Sequence, residues 1–189
     1  MPSYYQNIYG YFDFEDIYKF IVDRYKKDAC FLEIGVWLGK SACYMAELLK
    51  ENGSNNKFYC LDHFMGEINA KDQQEIVQNN KGNVYNLFLE NMENGGVKDY
   101  FIPLKDFSQN AAFKFKDHHF DFIFLDAEHT YGCVMNDLNT WYPKLKDGGI
   151  FAGHDYNAHG EVKVAVDEFF GKLGKKVNVS KSSFIVEKI

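Results

Sequence analysis

Apolar residues along this chain fall into two spacings, short continuous runs and stripes three or four positions apart, and the two alternate. Continuous runs at 29–32, 57–62, 100–104, 120–126 and 150–153 predict five buried strands. Helical stripes lie between and around them. The first covers 13–27, with Ile17, Phe20, Ile21 and Tyr25 on one face, Asp13 as its N-cap and Asp16 near its positive end. Further helices are predicted over 42–50 (Tyr44, Met45, Leu48, Leu49), 84–92 (Val84, Leu87, Phe88, Met92), 108–115, 131–145 and 161–173. Asn52-Gly53, Asn94-Gly95-Gly96 and the Gly148-Gly149 pair supply the stops. Residues 63–81 are polar and irregular, with a partial helix; 71–81 reads equally as a cover over a ligand or as a solvated loop. Two short strands at 177–179 and 183–187 are too close for a crossover, so they must pair antiparallel. The expected fold is α/β: a doubly wound, mostly parallel sheet with a C-terminal antiparallel hairpin. A single domain over 1–189 is expected, with residues 1–13 as an aromatic arm. The rings of Tyr4, Tyr5, Tyr9, Tyr11 and Phe12 either pack on the domain or form a lid or dimer arm.

Ligands of such sheets bind outside the carboxyl ends of the strands. Glu33, Asp62, Asp126 and the pair His154-Asp155 stand at four of those ends. The first end opens into Glu33-Ile34-Gly35-Val36-Trp37-Leu38-Gly39-Lys40-Ser41, a strand-to-helix turn whose free backbone N–H groups face a ligand. A P-loop needs four residues between its glycines, and here there are three; Glu33 would also repel a triphosphate. A dinucleotide fingerprint needs G-x-G-x-x-G, but position 37 is Trp and the third glycine is missing. S-adenosylmethionine needs no phosphate cradle. Its ammonium, sulfonium and ribose hydroxyls suit nearby acids, and Asp62 is placed to accept from the ribose.

The motifs together are similar to those of class I S-adenosylmethionine-dependent methyltransferases, over roughly residues 14–170. The chain resembles the metal-dependent O-methyltransferases of the catechol and macrolide-sugar type. The resemblance is carried by 33–41, by Leu61-Asp62-His63-Phe64-Met65-Gly66-Glu67, by Asp106-Phe107-Ser108-Gln109, by 124–131 and by 145–155. It implies the Rossmann-like class I methyltransferase fold. It implies a cofactor site of Glu33, Gly35, Trp37, Gly39, Ser41, Asp62, His63, Phe64, Ser108, Gln109 and Asp126. In it Glu33 sets the turn near the methionine part, Ser41 lies near the methionine carboxylate, His63 or Phe64 flanks the adenine, and Ser108 and Gln109 touch its edge. It further implies a divalent cation, Mg²⁺ in the first instance, on Asp126, His154 and Asp155. His154 stands where the family more usually has an acid, so it is either a nitrogen ligand for another metal or no ligand. His129 falls where the family carries its general base, with Glu128 nearby to hold it or complete the metal sphere; Asp126 shares the catalytic role. The implied reaction is methyl transfer to a hydroxyl of a small molecule, a sugar or glycosylated metabolite ahead of a catechol-like phenol. A metal-independent methyltransferase and a non-catalytic cofactor-binding subunit remain open alternatives.

Composition narrows this only slightly. A net charge of −6 argues against a nucleic-acid partner. No run approaches the ~20 apolar residues of a membrane span, and the N-terminus does not read as a secretory signal. Cys30, Cys43, Cys60 and Cys133 are widely spaced and read as reduced, mostly packing residues of a cytoplasmic protein. His118, His119 and His159 read as surface or loop histidines. The aromatic arm leaves a homodimer open.

Overall fold

A computed structural model describes residues 3–189, so Met1 and Pro2 of the expected arm lie outside the described residues. Seven strands form one sheet: β1 (Cys30–Ile34), β2 (Lys57–Asp62), β3 (Ile102–Lys105), β4 (Phe120–Leu125), β5 (Leu145–Gly153), β6 (Asn178–Ser180) and β7 (Ser183–Glu187). Their order is β3-β2-β1-β4-β5-β7-β6. The first five pair in parallel, and β7 enters antiparallel between β5 and β6. Among the described residues, seven α-helices precede or connect them: α1 (Glu15–Arg24), α2 (Lys40–Glu51), α3 (Lys71–Asn79), α4 (Val84–Asn94), α5 (Ser108–Ala112), α6 (Tyr131–Trp141) and α7 (Gly160–Lys172).

Strand alternation divides the core between the two faces of the sheet. Phe122 and Phe124 pack on one side with Tyr18, Ile21, Phe31, Phe58 and Leu49. Ile123 and Leu125 pack on the other with Leu138, Trp141, Phe151 and Phe170. These central strands are buried on both faces, which is why they read as continuous apolar runs.

Register aligns the functional ends. Ile34 lies opposite both Leu61 and Leu125, and Leu125 lies opposite Gly153. Gly35, Asp62, Asp126 and His154 therefore emerge along one edge. The backbone bonding continues one step beyond the strands: Gly35 N–H donates to Leu61, Asp126 N–H to Ile34, and His154 N–H to Leu125.

Three local expectations are corrected. Helix α6 ends at Trp141, not 145, because Pro143 has no N–H to continue it; a short 3-10 turn follows, and β5 begins at Leu145. The glycine pair is no terminus. The partners of Leu145 and Ile150 on β4 are only two residues apart, so 146–149 bulge outward within β5. Third, Asp13 does not cap α1: Phe14 holds that position without a side-chain bond. Residues 71–79 form a regular but exposed helix whose few apolar positions left only a partial signal. Pro103 sits on the edge strand β3, where a missing donor is tolerated.

The N-terminal segment packs Tyr5 and Phe12 against Tyr44, with ring centres 4.8 and 5.2 Å apart. Tyr9 and Tyr11 remain exposed. All four cysteines are free. Among the described residues, no helix is long and apolar enough to cross a membrane.

Candidate active site

The aligned strand ends open into a cleft of about 690 Å³, within the range that encloses a drug-sized ligand. One half is built on the glycine turn. Gly35 has φ +93°, and a Cβ there would meet the Asp126 carbonyl oxygen at 1.8 Å, so glycine alone lets β1 and β4 end side by side. Gly39, with φ +89°, starts α2 against the Phe88 ring, which a Cβ would touch at 2.8 Å. Trp37 takes a left-handed φ of +46° between them. Its backbone N–H donates to Asp62 Oδ2 at 2.8 Å, while Phe64 N–H donates to Oδ1 at 2.6 Å. Burial pushes the Asp62 carboxyl upward, and these two amides pull it back. Each oxygen retains a lone pair for a ligand hydroxyl.

Glu33 lies beneath this turn rather than in the wall of the cleft. It is fully buried and accepts the Ser41 hydroxyl. Burial raises its carboxyl to about 8, with Ser41 opposing and Asp126 adding to the rise. It therefore holds the turn as a neutral acid and is not available to touch a ligand. Ser41 lines the cleft but commits its hydroxyl to Glu33.

Phe64 is also displaced from its expected role. The turn gives it φ +59° and directs its ring into the core, against Tyr85 and Phe88 at 5.0 and 5.3 Å. His63 does line the cleft, beside the half-exposed Phe107 ring at 5.4 Å. Ser108 and Gln109 line it as well, but both donate to Asp137. Asp137 is buried, and burial lifts its carboxyl to about 6. An acid on the apolar stripe formed by Val134, Leu138 and Trp141 was the available signal for it.

The other half gathers Asp126, His129, His154 and Asp155. His154 is buried; its Nδ1 lies 3.2 Å from Asp155 and 3.9 Å from Asp126, and its Nε2 lies 3.0 Å from Asp13. His129 Nε2 stands 2.8 Å from Asp155 in an ion pair rather than an aligned hydrogen bond. Glu67 faces its other nitrogen at 3.6 Å, and the His159 ring stacks on it at 4.5 Å. Asp155 itself takes a left-handed φ of +61°. His159, Glu67 and Asp13 were not expected here; they converge from three separate segments. His118 and His119 lie at the opposite end of the sheet, bonded through their backbone N–H groups to Pro143 and Lys144.

Electrostatics couples this half tightly. Burial raises Asp126 to about 6, with His154 pulling it down. Burial also disfavours charge on Asp155, but His129 and His154 outweigh it and hold that carboxyl far below its ordinary value. Asp155 holds the His129 imidazole at about 9 against burial. Burial opposes charge on His154, yet its three carboxylate neighbours also hold it at about 9. Among the described residues, only histidines balance Asp126 and Asp155. Donor atoms of Asp126, His154 and Asp155 all lie within 4.8 Å of one another, a convergence that suits a divalent cation.

Comparison with known proteins adds a family. The sequence model of a family described as a methyltransferase domain matches residues 32–156. An uncharacterized protein of Acanthamoeba polyphaga mimivirus is 24% identical over 133 residues, 69% of this chain and 53% of its own; the chain thus spans about half the length of that relative. The structure of the O-methyltransferase NovP superposes with a TM-score of 0.65 at 20% identity, covering 92% of this chain and 78% of that one. The SAH-bound methyltransferase PaMTH1 of Podospora anserina gives 0.62 at 15% identity, covering 93% and 77%. These structural likenesses concern the fold, which is that of class I methyltransferases.

Proposed function

This chain belongs to the methyltransferase-domain family, and from that membership we propose that it is an S-adenosylmethionine-dependent O-methyltransferase aided by a divalent cation. The acceptor is a hydroxyl of a small molecule, a sugar or glycosylated metabolite before a catechol-like phenol. The observation carrying this reading is the meeting, in one cleft, of the glycine turn and Asp62 with Asp126, His129, His154 and Asp155. When bound, S-adenosylmethionine supplies a methyl carbon activated by a sulfonium, and the cation supplies a Lewis acid that lowers the acceptor's pKa.

The chain's residues have separate tasks in this scheme. Asp62 accepts from the ribose hydroxyls. His63 and Phe107 flank the adenine, with Asp137 behind Ser108 and Gln109 at its edge. The N-terminus of α2 faces the methionine carboxylate. His129, which Asp155 holds protonated in the free site, would take the acceptor proton once a cation drew off the Asp155 charge, with Glu67 and His159 beside its ring. Asp126, His154 and Asp155 hold the cation. Tyr9, Tyr11, Glu67 and Ile68 line the outer cleft and mix rings with a polar group, as a glycosylated acceptor would need. The net charge of −6 favours a small molecule over nucleic acid.

Titration calorimetry with S-adenosylhomocysteine, followed by labelled-methyl transfer to a panel of glycosides and catechols, tests the proposal. Micromolar binding and chelator-sensitive transfer are expected. Failure to bind either form of the cofactor overturns the reading. One observation favours a metal-independent variant: His129 and His154 already balance Asp155 without a cation. Undiminished turnover in chelator would decide for that variant.

A further inference from the structure

His154 has a carboxylate partner behind it, on the side away from Asp126 and Asp155. Its ring is buried, and its Nε2 lies 3.0 Å from Asp13 Oδ1, a residue 141 positions away in the chain. Asp13 is itself pinned: Lys181, in the turn between β6 and β7, donates to its backbone carbonyl. Tyr11 and Phe14 set their rings beside the imidazole at 5.7 and 5.2 Å. A neutral imidazole donates from one nitrogen only. When Nε2–H is directed to Asp13, Nδ1 is the ring nitrogen left to face a cation between Asp126 and Asp155, which lie 3.9 and 3.2 Å from it. A carboxylate behind a histidine that faces a metal is the arrangement that fixes the tautomer and makes the imidazole a better ligand.

We infer that His154 is a nitrogen ligand of this site, that Asp13 is its positioning residue, and that the site selects a first-row transition cation such as Mn²⁺, Fe²⁺ or Co²⁺ over Mg²⁺. The inference deepens the cation-assisted reading above and rests on it. Its chemical basis is ligand preference: Mg²⁺ takes hard oxygen donors and keeps its water, whereas imidazole suits transition cations. It also gives the N-terminal segment a task, since Asp13 ties that segment to the occupied site.

The test uses the full chain stripped with chelator and titrated separately with Co²⁺, Mn²⁺ and Mg²⁺, with no acceptor present. Calorimetry gives affinities, and the visible absorption of bound Co²⁺ reports a nitrogen ligand. Co²⁺ and Mn²⁺ should bind at least roughly tenfold more tightly than Mg²⁺. His154→Asp should remove most of that preference and shift the Co²⁺ spectrum. Asp13→Ala should weaken Co²⁺ binding about 10–100-fold, and Asp13→Asn, which keeps an acceptor, should recover part of it. Equal or tighter Mg²⁺ binding in the wild type overturns the inference. So does a Co²⁺ spectrum unchanged in His154→Asp, or Co²⁺ affinity unchanged in Asp13→Ala. S-adenosylhomocysteine affinity, measured on the same samples, separates the two ideas: intact cofactor binding without cation preference sinks only this inference, whereas absent cofactor binding sinks the proposed function.

Discussion

The two halves of the cleft satisfy their acids in opposite ways. On the side of the glycine turn, the hydrogen bonds that the acids accept come from groups that do not titrate, and the nearest histidine, His63, stands back at 3.8 Å from Asp62. Asp62 is held by the backbone amides of Trp37 and Phe64, and Glu33 by the Ser41 hydroxyl. On the side of β4 and β5, Asp126 and Asp155 are balanced by histidines alone among the described residues. Amides are fixed by the fold and do not ionise in the pH range where carboxylates and imidazoles do, so they suit recognition that must not change during a reaction. Imidazoles can lose a proton or give way to a cation, so they suit chemistry. The difference separates a rigid holding half from an exchangeable reacting half.

The largest expected effect tests whether the reacting half is truly separate. Asp155→Asn keeps a residue that tolerates the left-handed backbone there but removes the charge facing three histidines. Turnover in the labelled-methyl assay should fall about 10³-fold, while S-adenosylhomocysteine affinity by calorimetry changes little. A parallel loss of cofactor binding would merge the two halves.

Next in size is His129→Gln. Turnover should drop about 10²-fold, again with cofactor affinity retained. A rate within a few-fold of wild type would remove His129 from proton transfer.

The holding half is probed by Asp62→Asn. Removing a charge that faces a ligand hydroxyl costs about 1.5–3 kcal/mol, roughly a ten- to hundredfold loss of S-adenosylhomocysteine affinity. Cation binding should be untouched, and a change in it would show that the halves communicate.

The smallest effect concerns Glu33. Its carboxyl titrates near 8 when folded, against about 4.3 unfolded. Between those values the folded state holds a proton that the unfolded state has released. The stabilisation is therefore complete below the unfolded value and is lost as pH rises toward 8. The slope is at most about 1.4 kcal/mol per pH unit. Glu33→Gln should flatten that part of the stability profile, measured by denaturant unfolding between pH 5 and 8.5. An unchanged slope would show that Glu33 is ionised in the fold.

Legibility in the sequence followed the range of the interactions. The glycine turn, the strand-end acids and the antiparallel tail could be read because spacing and backbone chemistry are local. Phe64 was misplaced because one left-handed residue decides whether a ring faces the cleft or the core, and neighbouring residues do not announce it. The run from 131 to 145 looked helical throughout because its apolar spacing continues past Pro143, where the backbone cannot.

The sequence by itself determined the alternation of strands and helices, the glycine turn, and acids at the carboxyl ends of the strands. Periodicity and backbone freedom dictate these from a few adjacent residues. Only the tertiary structure decided which of those acids titrate together. Glu33 became a neutral support because the sheet buries it. His154 gained Asp13, and His129 gained Glu67 and His159, because segments far apart in the chain fold onto one edge. Electrostatic coupling depends on distance in space and on exclusion of water, neither of which is written in the order of the residues.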